Sequence, residues 1–372
     1  NLDTLDLNAI AASKAVTAVD VFVYDTSKDT DGGAWRNRTQ ATSWYNETLN
    51  TATRGSRKEF PAVAVIVAEA SKVTIYDGDD PSLPMWMVFN QSFGGFVYVG
   101  TASCIAMLNG QLQLGFSGTG GGLSTINFVS DFGYFQTNAS IQYNGKTVSA
   151  GNYANVTNTG SVAAIINRTV NDVAMTVLPD APIDYATGLQ IPTIAVATNG
   201  GVSVITDSGA VYDITGTFLF SGAIAFDEAT AIWNFGAAAA SQGNYWGFDV
   251  TGMSADITTT SCFSLGATAG YGGSTPYIGG NTNSDSISIG NNTALSAGGS
   301  GPSDTHLAVY ARNPIAPSKS MIAYTTSSYT SGWMPGNIKG AFLADTDATN
   351  LVGGELVTNG DAFTGATGTT LP

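Results

Sequence analysis

The chain is expected to be all-β, and within that class a β-propeller of about seven blades. An N-terminal arm would occupy residues 1–60, the propeller 61–343 and a short tail 344–372. Three observations lead there. Alternating runs built on Ala and Val recur at residues 62–67, 103–107, 193–197, 222–226 and 306–310, each meeting a tight turn and a second alternating run. Their starts fall near residues 62, 102, 192, 222, 262 and 306, and most gaps are about 40 to 45 residues or about twice that, the period of a four-stranded blade. No helical pattern longer than three turns occurs after residue 60. A pair of two-sheet sandwiches is the alternative architecture.

The elements follow in order. Residues 8–19 can form a short helix, and 21–24 a strand that ends in the polar run 25–33. Residues 35–60 mix Trp35, Trp44 and Tyr45 with Arg36, Arg38, Arg54, Arg57 and Lys58 and show neither period, so they read as an extended or partly helical arm. Seven of the 13 Lys and Arg lie within residues 1–60. This basic, aromatic set is either a solvated surface that offsets an acidic body or an anchor for an acidic partner.

Residues 72–76 alternate with period two and run into the turn Asp77-Gly78-Asp79-Asp80-Pro81, and 85–89 form a continuous apolar run suited to a buried strand. Asn109-Gly110 joins 104–108 to 111–115, the strongest hairpin signal in the chain. Segments 193–197, 202–206 and 210–215 read as a three-stranded meander, and 162–166 with 172–177 as a blurred blade. The Gly/Ser/Asn-rich stretch 268–302 reads as a long loop with a short strand at 286–289, and 321–325 and 338–343 are the strands available to close the disc. The tail reads as an end or as the start of a further domain.

Composition narrows the function. Charged residues make up 11 %, against roughly 25 % in ordinary soluble domains. Apolar residues at 43 %, including 17 Phe, 15 Tyr and 6 Trp, can fill a core, so the chain is not disordered. A net charge of −15 makes nucleic acid a poor partner, and no run approaches the length of a membrane-spanning helix. Cys104 and Cys262 both sit in alternating runs; buried thiols and a disulfide between distant blades both remain open.

Few residues suggest chemistry. His306 is the single histidine, no Gly-x-Ser-x-Gly elbow supports a triad around it, and the two Cys are far apart, so Cys/His zinc sites are not expected. The Gly runs at 118–122 and 298–301 lack the Gly-Lys-Ser/Thr ending of a phosphate loop. Asp77, Asp79 and Asp80 could offer hard oxygens to Ca²⁺, although Asp and Gly before Pro also suit a turn for its backbone alone. No other cofactor is expected. Trp233, Tyr245, Trp246, Tyr271, Tyr277 and Trp333 lie in or beside Gly/Asn-rich turns and are expected at loop tips. There they could stack on sugar rings or cap blade cores.

Residues 31–35, 42–55 and 73–81 resemble segments of marine tailed-phage virion and tail-fibre-like structural proteins. The resemblance covers about the first 90 and the last 40 residues, and it brings no catalytic motif. It implies a non-enzymatic component of a phage virion, localised to the extracellular particle. The arm would anchor to other virion proteins, and the blade loops would meet a virion partner or a host-surface glycan. Analogy with fibre-associated proteins adds a homotrimer. The alternative is a propeller-type glycosidase or lyase acting on host polysaccharide, which needs two facing carboxylates about 5 to 9 Å apart.

Overall fold

The computed structural model describes residues 18–90, 96–97, 100–139, 143–149, 163–215, 221–227, 231–237, 243–258, 263–264, 284–290, 293–298, 306–311, 321–326 and 341–345. Within them the protein is all-β, with short 3₁₀ turns that include Thr26–Lys28 and Ala34–Arg38 and no α-helix. The strands form five sheets of four or five strands and one two-stranded hairpin.

Sheet one is β1 (Asp20–Asp25), β2 (Val63–Glu69), β3 (Lys72–Asp77) and β4 (Met85–Asn90) in that spatial order. Sheet two is β5 (Thr101–Leu108), β6 (Gln111–Ser117), β7 (Gly122–Asn127), β8 (Phe132–Gln136) and β9 (Tyr143–Lys146). Sheet three begins with β10 (Val170–Thr176). The chain then leaves it to form the hairpin β11 (Ile183–Asp184) and β12 (Leu189–Gln190), and returns as β13 (Thr193–Thr198), β14 (Gly201–Ile205) and β15 (Val211–Thr215). Sheet four is β16 (Ser221–Asp227), β17 (Ala231–Ala237), β18 (Gly243–Asp249) and β20 (Phe263–Ser264), while β19 (Ile257–Thr258) joins sheet three as a parallel edge. Sheet five is β21 (Ser284–Gly290), β22 (Thr293–Gly298), β23 (His306–Ala311), β24 (Met321–Thr326) and β25 (Ala341–Asp345).

Local chemistry explains the turns. Asn109 and Gly110 both have positive φ, 50° and 69°, as a two-residue turn matched to strand twist requires, so Leu108 pairs with Gln111 as expected. The meander read at 193–215 is present as β13–β14–β15.

The sheets follow one another by a common rule. The first strand of each packs against the first strand of the next: β1 on β5, β5 on β10, β10 on β16, β16 on β21. Four of these first strands carry a register shift at the same early place, between Ala102 and Cys104, Val170 and Asp172, Ser221 and Ala223, and Ser284 and Ser286. A bulge bends a strand and increases its twist, so the repeat sets a common curvature. Between sheets one and two lies an aromatic core that includes Trp35, Trp44, Phe60, Trp86, Phe89 and Phe128. Smaller aliphatic cores follow, around Cys104, Leu123, Val173 and Val196, and then around Ala195, Val204, Ile214 and Ile224.

Three expectations change. The Ala/Val runs do not mark equivalent strands: 62–67 and 193–197 are second strands, 103–107 and 222–226 first strands, and 306–310 a third. Small and β-branched residues suit a strand in any place within a sheet, so the run does not mark position. Residue 60 is no boundary, because β1 pairs with β2 along its whole length, Asp20 opposite Ala68 through Asp25 opposite Val63. Within 268–302 there are two paired strands, β21 and β22, where one short strand was expected. The helix expected at 8–19 lies largely outside the described residues, and Val19 itself donates its N–H to Ala68 O at 2.7 Å.

Candidate functional site

The basic, aromatic segment is where the expected anchor residues can be placed. Trp35, Trp44 and Arg54 are each 0 % exposed. The Arg54 guanidinium lies 4.5 Å over the Trp86 ring. Its Nη1 donates to Trp86 O (2.9 Å) and its Nη2 to Lys58 O (2.8 Å). Burial without a contacting carboxylate lowers its pKa to about 10, offset partly by Glu47 and Glu59. Arg36 Nε donates to Phe60 O (2.8 Å). These residues hold the segment onto sheet one. Tyr45 is half-buried, and exposed Lys58 lies over its ring at 5.5 Å. Arg38, also exposed, pairs with Asp31 at 3.0 Å.

Trp35 belongs to a second buried node. Asp29 Oδ2 accepts from Tyr24 OH (2.5 Å) and Trp35 Nε1 (2.7 Å), and its Oδ1 accepts from Asn109 N (2.7 Å). One carboxylate thus joins β1, the 3₁₀ turn and the β5–β6 turn.

The acidic turn surrounds a cation of the protein's own. Arg57 Nη1 donates to Asp77 Oδ1 (2.8 Å) and Asp79 Oδ2 (2.7 Å), and the Ala62 and Val63 N–H groups donate to Asp79. Asp80 faces elsewhere, accepting from Ser82 N and Oγ. Asp77 and Asp79 therefore converge where Arg57 sits, and Asp80 does not join them.

Of the expected aromatic set, Trp233 lies on β17 opposite Gly247, and Tyr245 and Trp246 lie on β18 opposite Phe235 and Asn234. They are strand residues and not loop tips. The Gly and Asn around them sit inside the sheet and mark no turn. Tyr271, Tyr277 and Trp333 lie outside the described residues, as does Cys262. Cys104 is a buried free thiol whose pKa burial raises well above normal, with Asp172 and Asp20 pushing it further.

Two features were not read from the sequence. At the junction of the first strands, Asp20 Oδ2 accepts from Ile105 N (2.8 Å) on the next sheet and its Oδ1 from Val21 N (2.8 Å). Asp172 repeats this, Oδ2 accepting from Ile224 N (2.8 Å) and Oδ1 from Val173 N (2.9 Å). Both carboxylates are engaged by backbone donors. Burial pushes the Asp172 carboxyl up to about 7, the N–H donors of Ile224 and Val173 oppose the rise, and the Asp20 charge adds to it.

The second feature is the β11–β12 hairpin. It leaves sheet three and docks on the first core through Leu189, 3 % exposed. Asn109 Nδ2 donates to Gln190 O (2.8 Å) and Arg38 Nη2 to Thr187 O (3.0 Å). Inside the turn, Asp184 accepts from Ala186 N and Thr187 Oγ1, both at 2.9 Å, and Gly188, at φ 71°, returns its N–H to Asp184 O. Tyr185 at the tip is 102 % exposed and Ile183 59 %. A Pro-flanked segment ending Tyr-Ala-Thr-Gly was the available signal; sequence alone did not show that its backbone is fully braced.

No family model and no curated protein matches this chain. Among solved structures, U3-55K aligns at 8 % identity with a TM-score of 0.34, over 76 % of this chain and 91 % of that one. The major allergen Mala s 1 of Malassezia sympodialis aligns at 12 % and 0.35, over 76 % and 84 %. BBS1N, solved in complex with ARL6DN, aligns at 10 % and 0.32, over 70 % and 72 %. Likenesses at this level carry no assignment.

Proposed function

We propose that the chain is a non-enzymatic adhesion scaffold of a tailed-phage virion, built as a β-propeller whose five described sheets are blades. The observation that carries the binding reading is the β11–β12 hairpin, which holds Tyr185 clear of the surface on a backbone braced by Asn109 and Arg38. An aromatic carried on a braced turn binds with less ordering cost than one on a free loop. Asp20, Asp29, Asp77 and Asp172, by contrast, each accept hydrogen bonds from backbone or neighbouring side chains of the protein itself. That supports recognition over turnover. The serial packing of first strands supports the propeller, and the count of about seven blades expected from the sequence would be read directly from an electron cryomicroscopy map of the disc.

Immunogold labelling of intact phage particles carrying this protein, with antibody against residues 61–343, tests the virion reading. Label on the tail or its fibres is expected. Intact but unlabelled particles would remove it and bring forward the second reading, a propeller glycosidase or lyase, for which product release from host polysaccharide is the decisive assay.

A further inference from the structure

We propose that the Tyr185 hairpin is a glycan-contact site selective for neutral or amino sugars over acidic ones; this rests on the adhesion reading above. The fold holds two large apolar side chains, Tyr185 and Ile183, in solvent, although the same hairpin sends Leu189 into the first core. Each end of the turn is fixed. Ala181 N donates to Leu178 O (3.0 Å), Ile191 N to Pro182 O (2.9 Å) and Gly188 N to Asp184 O (2.7 Å). The Asn109 and Arg38 contacts then tie it to sheets one and two. The backbone that carries Tyr185 is therefore braced, and its ring stands in solvent as a stacking surface.

Size and charge choose the ligand. A stable protein–protein contact needs about 800 Å² from each partner, far more than two side chains on a narrow tip supply. A sugar ring matches one aromatic face, and weak single contacts become effective when many copies act together. The tip itself is acidic. Asp180 is exposed and Asp184 partly so, while the adjacent cation, Arg38, is already paired with Asp31. The whole chain carries −15. A uronate or other anionic sugar approaches against that field, whereas a neutral ring is unaffected and an amino sugar is attracted.

The test uses the full chain and three oligosaccharide probes: a neutral N-acetylhexosamine oligomer, its de-N-acetylated amino-sugar form and a polyuronate. Each is displayed multivalently for surface binding and followed free by saturation-transfer NMR. The neutral and amino-sugar probes are expected to bind, with amino sugar strengthened at low salt and polyuronate weaker by tenfold or more. Tyr185→Ala should lower binding at least tenfold with an unchanged melting temperature, and Tyr185→Trp should retain it. Unchanged binding in Tyr185→Ala, preference for polyuronate, or no binding to any probe would each overturn the proposal. Gold label on fibres without glycan binding would leave the adhesion reading standing and sink this one. Tyr185-dependent glycan binding by a protein absent from particles would do the reverse.

Discussion

Asp20 and Asp172 occupy the same place on the first strands of two different sheets, each joining its own strand to the next sheet through a backbone N–H, of Ile105 and Ile224 respectively, at 2.8 Å. Cys104 lies in the corresponding position of the intervening strand, just past its bulge. Asp20 raises the Asp172 carboxyl and both carboxylates raise the Cys104 thiol, as their places on consecutively packed first strands allow.

This joint makes stability depend on pH. Folding raises the Asp172 pKa to about 7, so its ionisation opposes folding. The contribution is fully present below about pH 4, the range of a free Asp, and is lost as pH rises through about 7. Asp172→Asn should flatten the difference in urea midpoint between pH 5.5 and 8.5, by an amount on the order of 1–2 kcal/mol. An unchanged pH profile would show that another group sets it.

Arg54 should be among the least replaceable residues. Arg54→Ala strands the Trp86 and Lys58 carbonyls and opens a cavity beside the Trp86 ring. A loss of about 3–5 kcal/mol in chemical denaturation is expected. Arg54→Lys recovers only part, since an ammonium cannot span both acceptors while lying flat on the ring.

Gly55 allows two backbones to meet. A Cβ there would collide with the Met85 carbonyl oxygen, while Gly55 N donates to Trp86 O at 2.9 Å. Backbone cannot yield as a side-chain end can, so Gly55→Ala should cost about 3 kcal/mol or more, read as a drop in melting temperature. Gly118→Ala is a useful contrast: open space surrounds it but its φ is 87°, and about 1 kcal/mol is expected there from backbone strain alone.

The acidic turn gives a metal prediction. Because Arg57 Nη1 lies between Asp77 and Asp79, millimolar Ca²⁺ should leave the melting temperature of the native protein unchanged. Arg57→Ala should cost about 1–3 kcal/mol, because it leaves the buried Asp77 carboxylate without its cation. A Ca²⁺-dependent rise in the native protein would show that the turn exchanges its arginine for metal.

The sequence alone determined what short-range physics controls: the all-β class, the Asn109-Gly110 hairpin, the β13–β15 meander and the boundaries of β3 and β4. Period-two burial and turn stereochemistry act within a few residues and leave their mark there. Which sheet a strand joins, and in which place, was decided only in three dimensions, because Ala/Val runs occur in first, second and third strands alike. The same holds for the basic, aromatic segment. Arg54 and Trp44 look like surface anchors in sequence and become core because sheets one and two close over them. Tyr185, unremarkable among 15 tyrosines, stands out only through long-range contacts, from Asn109 to Gln190 and from Arg38 to Thr187. Residues so distant in the chain meet only when the sheets pack.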